Sequence, residues 1–366
     1  MKALDIVSKF EQWVPLNLVD SWDNTGLQIG DPEQLIKGII ISMDVTEDVV
    51  EEAIREQCNM IVTHHPFIFR PMDNLVLNTY KGRLIKRIIS NDILIYNAHT
   101  NLDLAVEGIN DQLALIFGMK NTETLSELSS EELVKVAVYV PETHQNKILE
   151  ALSESDAGHI GNYSECSFTV RGTGRFKPQA GSNPFLGSTG RLESVAEVRI
   201  ETIVKKDLLQ RTMDMIKEEH PYEEVAFDIF PILNKGKGFG YGRVGNIEDC
   251  TLKELAESTK ALLNLDEIRV YGSDKGIINR IAVCGGAGSD FIRDAARKGA
   301  QVYITGDIKY HDAQLAYEEG IVIIDGTHYG TESIILPVME RKLVESTHNS
   351  IKIKIHEDRS FHFACY

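Results

Sequence analysis

The sequence of 366 residues contains no Cys-x-x-Cys pair, although it has five cysteines: Cys58, Cys166, Cys250, Cys284 and Cys365. An odd set of scattered thiols excludes a disulfide framework and zinc knuckles, and points to a reducing compartment. No apolar run approaches the ~18 residues needed to span a bilayer. Asp5, Lys9 and Glu11 fall in the first turns, which argues against a signal peptide. No GxxxxGK(S/T) run occurs, so a P-loop is excluded as a phosphate cradle. Positive charge is also scarce. Lys and Arg number 38 against 55 Asp and Glu, a formal net charge of -17. That field repels phosphate backbones, so the charge balance argues against nucleic acid as a partner. The cluster Lys81, Arg83, Lys86 and Arg87 reads as a solvated helix face. The expectation is a cytoplasmic protein with no membrane partner.

What remains is an ordinary globular composition, 43% hydrophobic and 25% charged, in a chain long enough for two or three domains. The first 120 residues alternate helical and strand patterns. Ile39-Ile40-Ile41 and Met60-Ile61-Val62 read as buried strands, as does 93–96. Thr46 can cap a helix whose inward face is Val49, Val50, Ala53 and Ile54. The final 120 residues repeat the pattern, with strands at Ile281-Ala282-Val283, Val302-Tyr303-Ile304 and 321–324. Such alternation implies α/β lobes with mainly parallel sheets, whose sites lie at the carboxyl ends of the strands. The halves align as a duplication: Thr63-His64-His65 falls on Thr305-Gly306-Asp307, and His99 with Asp103 falls on His328 with Glu332. The middle reads as βαββαβ, an inserted α+β ferredoxin-like domain. The expected division is 1–125, 126–245 and 246–366. Gly172 to Gly190 reads as a functional loop, and the glycines from Gly236 to Gly245 as a return linker.

Four strand ends deliver His64, His65, His99, Asp103, Asp307, His328 and Glu332 to one rim. Adjacent His64 and His65 on an extended segment would point to opposite sides, serving two metals, or one metal only with a local twist. His328 and Glu332, four apart, share a face if the segment is helical. Imidazole with carboxylate is a ligand set for zinc, iron or manganese. A carboxylate able to bridge suggests a dinuclear centre, with ions about 3.5–4 Å apart. His99 and His311 are candidate proton carriers, each with a structural hydrogen bond as the plainer role. Asp307 either orients a histidine or caps a helix. Trp22, Asp23 and Asn24 read as a rigid turn beneath the site, tryptophan being more often core.

Four segments resemble the NIF-three-like family of dinuclear-metal-centre proteins, often named GTP cyclohydrolase 1 type 2 homologs. They are Ser21-Trp22-Asp23-Asn24-Thr25-Gly26-Leu27-Gln28-Ile29-Gly30, Thr63-His64-His65-Pro66, His99-Thr100-Asn101-Leu102-Asp103 and Gly326-Thr327-His328-Tyr329-Gly330-Thr331-Glu332. The middle segment, with His220-Pro221-Tyr222-Glu223-Glu224-Val225, is similar to the insert of longer bacterial members and to nitrogen-regulatory and copper-tolerance-type domains. The resemblance implies two divalent ions held by His64, His65, Asp103, His328 and Glu332. Glu332 bridges, one ion taking His65 and Asp103 and the other His64 and His328. It also implies a ring-shaped homohexamer with the metal sites facing an internal cavity. The family name implies a metal-dependent hydrolase that opens a purine nucleotide ring. A phosphodiesterase or phosphatase fits the same ligands. The alternative is a non-enzymatic metal-binding regulator, metal store or oligomeric scaffold.

Overall fold

The computed structural model of the protein describes residues 1–274 and 276–356, and Cys365 lies outside them. Cys58, Cys166, Cys250 and Cys284 are all free thiols. Among the described residues no helix is long and apolar enough to cross a membrane. The chain forms two compact units, Met1–Leu128 with Phe239–Tyr366, and Ser129–Gly238.

The first unit contains two mainly parallel sheets, as the alternating pattern predicts. One has the order Gly26–Ile29, Leu94–Asn97, Met60–Thr63, Gly38–Ser42, Lys352–Ile355. Only its Gly26–Ile29 edge is antiparallel. The other takes 239–250, Ile278–Val283, Val302–Thr305, Val322–Asp325 and Arg269–Tyr271, with a parallel centre and antiparallel edges. The central strands are buried along their length because helices cover both faces. The helix Glu47–Arg55 begins where Thr46 accepts a hydrogen bond from the Val49 amide. It buries Val49, Val50 and Ala53 against Ile40, Ile61 and Ile95. Each of these valines and isoleucines contributes about 1.5–3 kcal/mol through burial.

The opposite face of the first sheet (Ile39, Ile41, Val62, Tyr96) shares a single core with Ile281, Val283, Ile304 and Ile324 of the second. That common core fixes the two sets of strand ends relative to each other. Lys352–Ile355, which the sequence division leaves with the second lobe, pairs instead with Gly38–Ser42 of the first sheet. The glycines read as a linker lie inside the strand Phe227–Cys250. There they permit close packing: a Cβ at Gly240 would sit 2.0 Å from the Ser126 carbonyl oxygen.

In Ser129–Gly238 the element order is βαββαβ, with helices Gln145–Glu154 and Leu209–Glu219. Ser167–Phe176 pairs antiparallel with Glu193–Lys205, which pairs antiparallel with 133–141. This is the ferredoxin-like arrangement. Val136, Val138, Ile148, Val198, Ile200 and Ile216 fill its core. Ser167–Phe176 takes up the start of the stretch read as a loop. Buried His220 donates to the Tyr139 carbonyl at 3.0 Å and accepts from the Tyr222 amide at 3.1 Å, a structural use of that motif.

Candidate metal centre

The strand Met60–Thr63 ends in a turn where the Thr63 hydroxyl donates to the His65 carbonyl at 2.8 Å. The turn ends strand alternation, so His64 and His65 face one space, with ring centroids 5.0 Å apart. Leu94–Asn97 leads to His99 and then to the short helix Thr100–Leu104, which carries Asp103. From the second sheet, Val322–Asp325 leads to Thr327, whose hydroxyl accepts from the Gly330 amide at 3.0 Å. That cap starts the helix His328–Ser333, placing His328 and Glu332 on one face. Asp103 and Glu332 thus each lie on the short helix that follows a strand of their own sheet.

Glu332 lies at the middle. Its Oε1 is 3.7 Å from His64 Nε2, which is 3.9 Å from Asp103 Oδ1. Its Oε2 is 3.0 Å from His65 Nε2 and 3.2 Å from His328 Nε2, and those two nitrogens are 3.3 Å apart. Two donors each about 2.1 Å from one ion stand roughly 3.0–3.4 Å apart at right or tetrahedral angles. The second trio already has that spacing, and the first is slightly wider. His64 with Asp103 and Glu332, and His65 with His328 and Glu332, each form a group that could hold a metal ion. The grouping is the reverse of the expected one, because His65 turns toward the second lobe while His64 stays beneath Asp103. A third group joins His64, His65 and His99.

Each imidazole is aimed by its other nitrogen. His64 Nδ1 donates to the Ala98 carbonyl at 2.9 Å, His65 Nδ1 to Asp44 at 3.0 Å, His328 Nδ1 to Asp307 at 2.8 Å and His99 Nδ1 to Asp23 at 2.8 Å. With Nδ1 committed as donor, each neutral ring presents an Nε2 lone pair inward. Lone pairs and carboxylates converging on one space require cations there. His64 Nε2 and Asp103 Oδ1 are buried with no hydrogen-bond partner, which is costly unless something positive binds them. Gly286 closes one wall, and a Cβ there would lie 2.2 Å from Glu332 Oε1.

Without metal, protons supply part of that charge. Burial opposes charge on His65, yet Asp44 and Glu332 outweigh it and hold its pKa near 10. His328 is likewise lifted to about 9, against burial, by Glu332 and Asp307. Burial pushes His64 down to about 4. Burial, with Glu332 nearby, raises Asp103 well above its usual range. Glu332 is held ionised: burial would raise it, but the surrounding histidines outweigh burial. Metal needs neutral Nε2 atoms and ionised carboxylates. Capture therefore releases protons from His65 and His328 across the neutral range. Affinity should strengthen as pH rises toward 9, about tenfold per pH unit for each proton released. Calorimetry in buffers of different ionisation enthalpy counts those protons, and a flat profile would contradict the charge assignment.

Other sequence candidates fall differently. His311 is exposed on the helix Tyr310–Glu318, edge-on to Tyr310, and belongs to none of the three groups. Asp307 is not the cap of that helix: Lys309 occupies the cap position, closed by Asp312, which frees Asp307 to hold His328. Trp22 is exposed rather than core. Asp44 was missed, since a lone aspartate after a strand carries no distinguishing pattern. The basic cluster is partly neutralised, Arg87 meeting Glu51 at 2.8 Å.

A family comparison matches residues 1–360 to Duf34/NIF3 (NGG1p interacting factor 3). The chain belongs to this family. A Halalkalibacterium halodurans relative named GTP cyclohydrolase 1 type 2 homolog is 41% identical over 339 residues, 92% of this chain and 91% of that protein. A Bacillus cereus protein related to NIF3 superposes with a TM-score of 0.93 at 39% identity, covering 100% of this chain and 99% of the other. A Staphylococcus aureus protein gives a TM-score of 0.77 at 31% identity, covering 100% of this chain and 99% of its own.

Proposed function

We propose that this Duf34/NIF3 chain binds two divalent transition ions, zinc, iron or manganese, and hydrolyses a nucleotide or other phosphoester. The observation that carries the reading is the pair of buried, unpartnered ligand atoms, His64 Nε2 and Asp103 Oδ1, facing Glu332. His64 and Asp103 would hold one ion, His65 and His328 the other, with one oxygen of Glu332 on each side. Imidazole and carboxylate donors favour borderline ions over soft ones. The thiol nearest the cluster, Cys284, stays protonated because burial lifts it to about 12.

When bound, the ions would supply Lewis acidity toward a phosphoryl or carbonyl oxygen and the activation of water. His99 presents Nε2 beside the cluster, its ring 5.1 Å from His64 and 5.8 Å from His65. Its Nδ1 proton is fixed on Asp23, so Nε2 is the atom that takes a proton and later returns it. A cleft of about 430 Å³, lined by His99, Asp103, His328 and Glu332, opens onto these residues. Room for a small ligand favours an enzyme over a metal store. The homohexamer is proposed on the family likeness.

The test is turnover of a panel of nucleotides and phosphoesters by one preparation loaded with Zn, Mn, Fe or Mg, then chelated. About two equivalents of metal per chain are expected, with turnover lost on chelation. The same preparation should sediment as a hexamer. Turnover indifferent to chelator would remove the hydrolase reading.

A further inference from the structure

Trp22 and Phe69 are 58% and 43% exposed, yet neither is loosely held. Their rings meet edge to face at 6.0 Å, and they meet the His99 ring at 6.1 and 6.4 Å. The peptide before Phe69 is tied at both ends: the Ile68 amide donates to Gln28 Oε1 at 2.8 Å, and Asn24 Nδ2 donates to the Ile68 carbonyl at 2.5 Å. Gln28 Nε2 in turn donates to the Asn24 carbonyl at 2.7 Å. Asp23, next to Trp22, accepts from the Thr25 and Thr100 hydroxyls, both at 2.7 Å. The motif from Trp22 to Gln28 therefore fixes two large aromatic rings in water at the edge of the cleft. Burying either ring elsewhere would be favourable, so a fixed exposed pair marks a contact site.

Across the same cleft Tyr241 and Phe291 stack on each other, 5.2 Å apart at 20°. Among the described residues no lysine or arginine lines the cleft, while Asp20, Asp103, Asp290 and Glu332 do. With the ions bound and His328 neutral, an anionic substrate therefore finds no side-chain cation among these residues. Its affinity must come from the ions and from apolar contact with the rest of the molecule.

We propose that Trp22 and Phe69 seat the flat heteroaromatic ring of the substrate, so that its ester lies over the Glu332 cluster. This rests on the hydrolase reading for what happens to the ester, but the seat itself is a binding property. Stacking on aromatic faces tolerates different bases, so the seat selects for a ring rather than for one base. Plain phosphoesters would then be poor ligands.

The chain has two tryptophans, so Trp13→Phe leaves Trp22 as the sole tryptophan fluorophore. Manganese-loaded full-length protein is titrated with adenosine monophosphate and, separately, with ribose 5-phosphate. Saturable quenching is expected with the nucleotide and none with the sugar phosphate. By calorimetry, Trp22→Ala and Phe69→Ala should each weaken nucleotide binding about tenfold, with Trp22→Phe close to wild type. Metal content and ribose 5-phosphate binding should not change. Equal quenching by both probes, or an unchanged nucleotide Kd in Trp22→Ala, overturns the seat. So does a changed sedimentation mass in Trp22→Ala, which would make the pair a contact between copies. Metal-dependent turnover of ring-free esters with no ring preference would sink the seat and leave the hydrolase standing. Ring-dependent quenching with no turnover under any metal would do the reverse.

Discussion

Glu332→Ala should empty both halves of the metal cluster together. Loading is expected to fall from about two equivalents per chain to well under one, whereas His65→Ala or Asp103→Ala should each leave about one. The difference follows from position. Oε1 of Glu332 serves the His64 side and Oε2 serves the His65 and His328 side, and among the described residues it is the carboxylate common to both groups. Metal-free stability should fall as well. His65 and His328, 3.3 Å apart, would lose the anion they share, and breaking a buried charge group of this kind costs about 3–5 kcal/mol. Elemental analysis and thermal melts on the same samples read both effects. Retention of both ions in Glu332→Ala would refute the assigned ligand set.

Asp23→Asn should cut turnover about a hundredfold or more while leaving metal content and KM near wild type. Asp23 touches neither proposed ion. Burial would raise its pKa, but hydrogen bonds from His99, Thr25 and Thr100 outweigh that and hold the carboxyl far below its usual range. It therefore stays an acceptor at any working pH and keeps the His99 proton on Nδ1. An asparagine amide facing Nδ1 would favour the opposite tautomer and remove the Nε2 lone pair from the cleft. A purely structural role would lower the melting temperature and kcat together. A positioning role lowers kcat with KM, metal content and the melt unchanged. Wild-type kcat in Asp23→Asn would remove His99 from the chemistry.

The two sheets and the four strand ends that carry the site were legible because buried parallel strands read as short, nearly continuous apolar runs bounded by polar residues. The cluster was legible because its histidines and carboxylates follow those runs directly. The grouping was not. It depends on a turn made by the Thr63 hydroxyl and on which way His65 rotates, and strand alternation says nothing about residues just past a strand. Asp44 was invisible for the same reason, since its role exists only through a ring 21 positions further along. Trp22 misled because tryptophan burial is a strong average, and the hydrogen bonds that keep it exposed join residues far apart in sequence. The glycines from Gly236 to Gly245 misled because glycine marks close backbone approach as well as flexibility.

The strand Lys352–Ile355 completes the first sheet only after the entire second sheet has been synthesised. During translation the ribosome must release both lobes before Gly38–Ser42 gains its outer neighbour. Two of the five ligands, His328 and Glu332, also arrive late. A nascent chain therefore lacks both trios that contain Glu332, and only His64, His65 and His99 can gather before the second lobe is made.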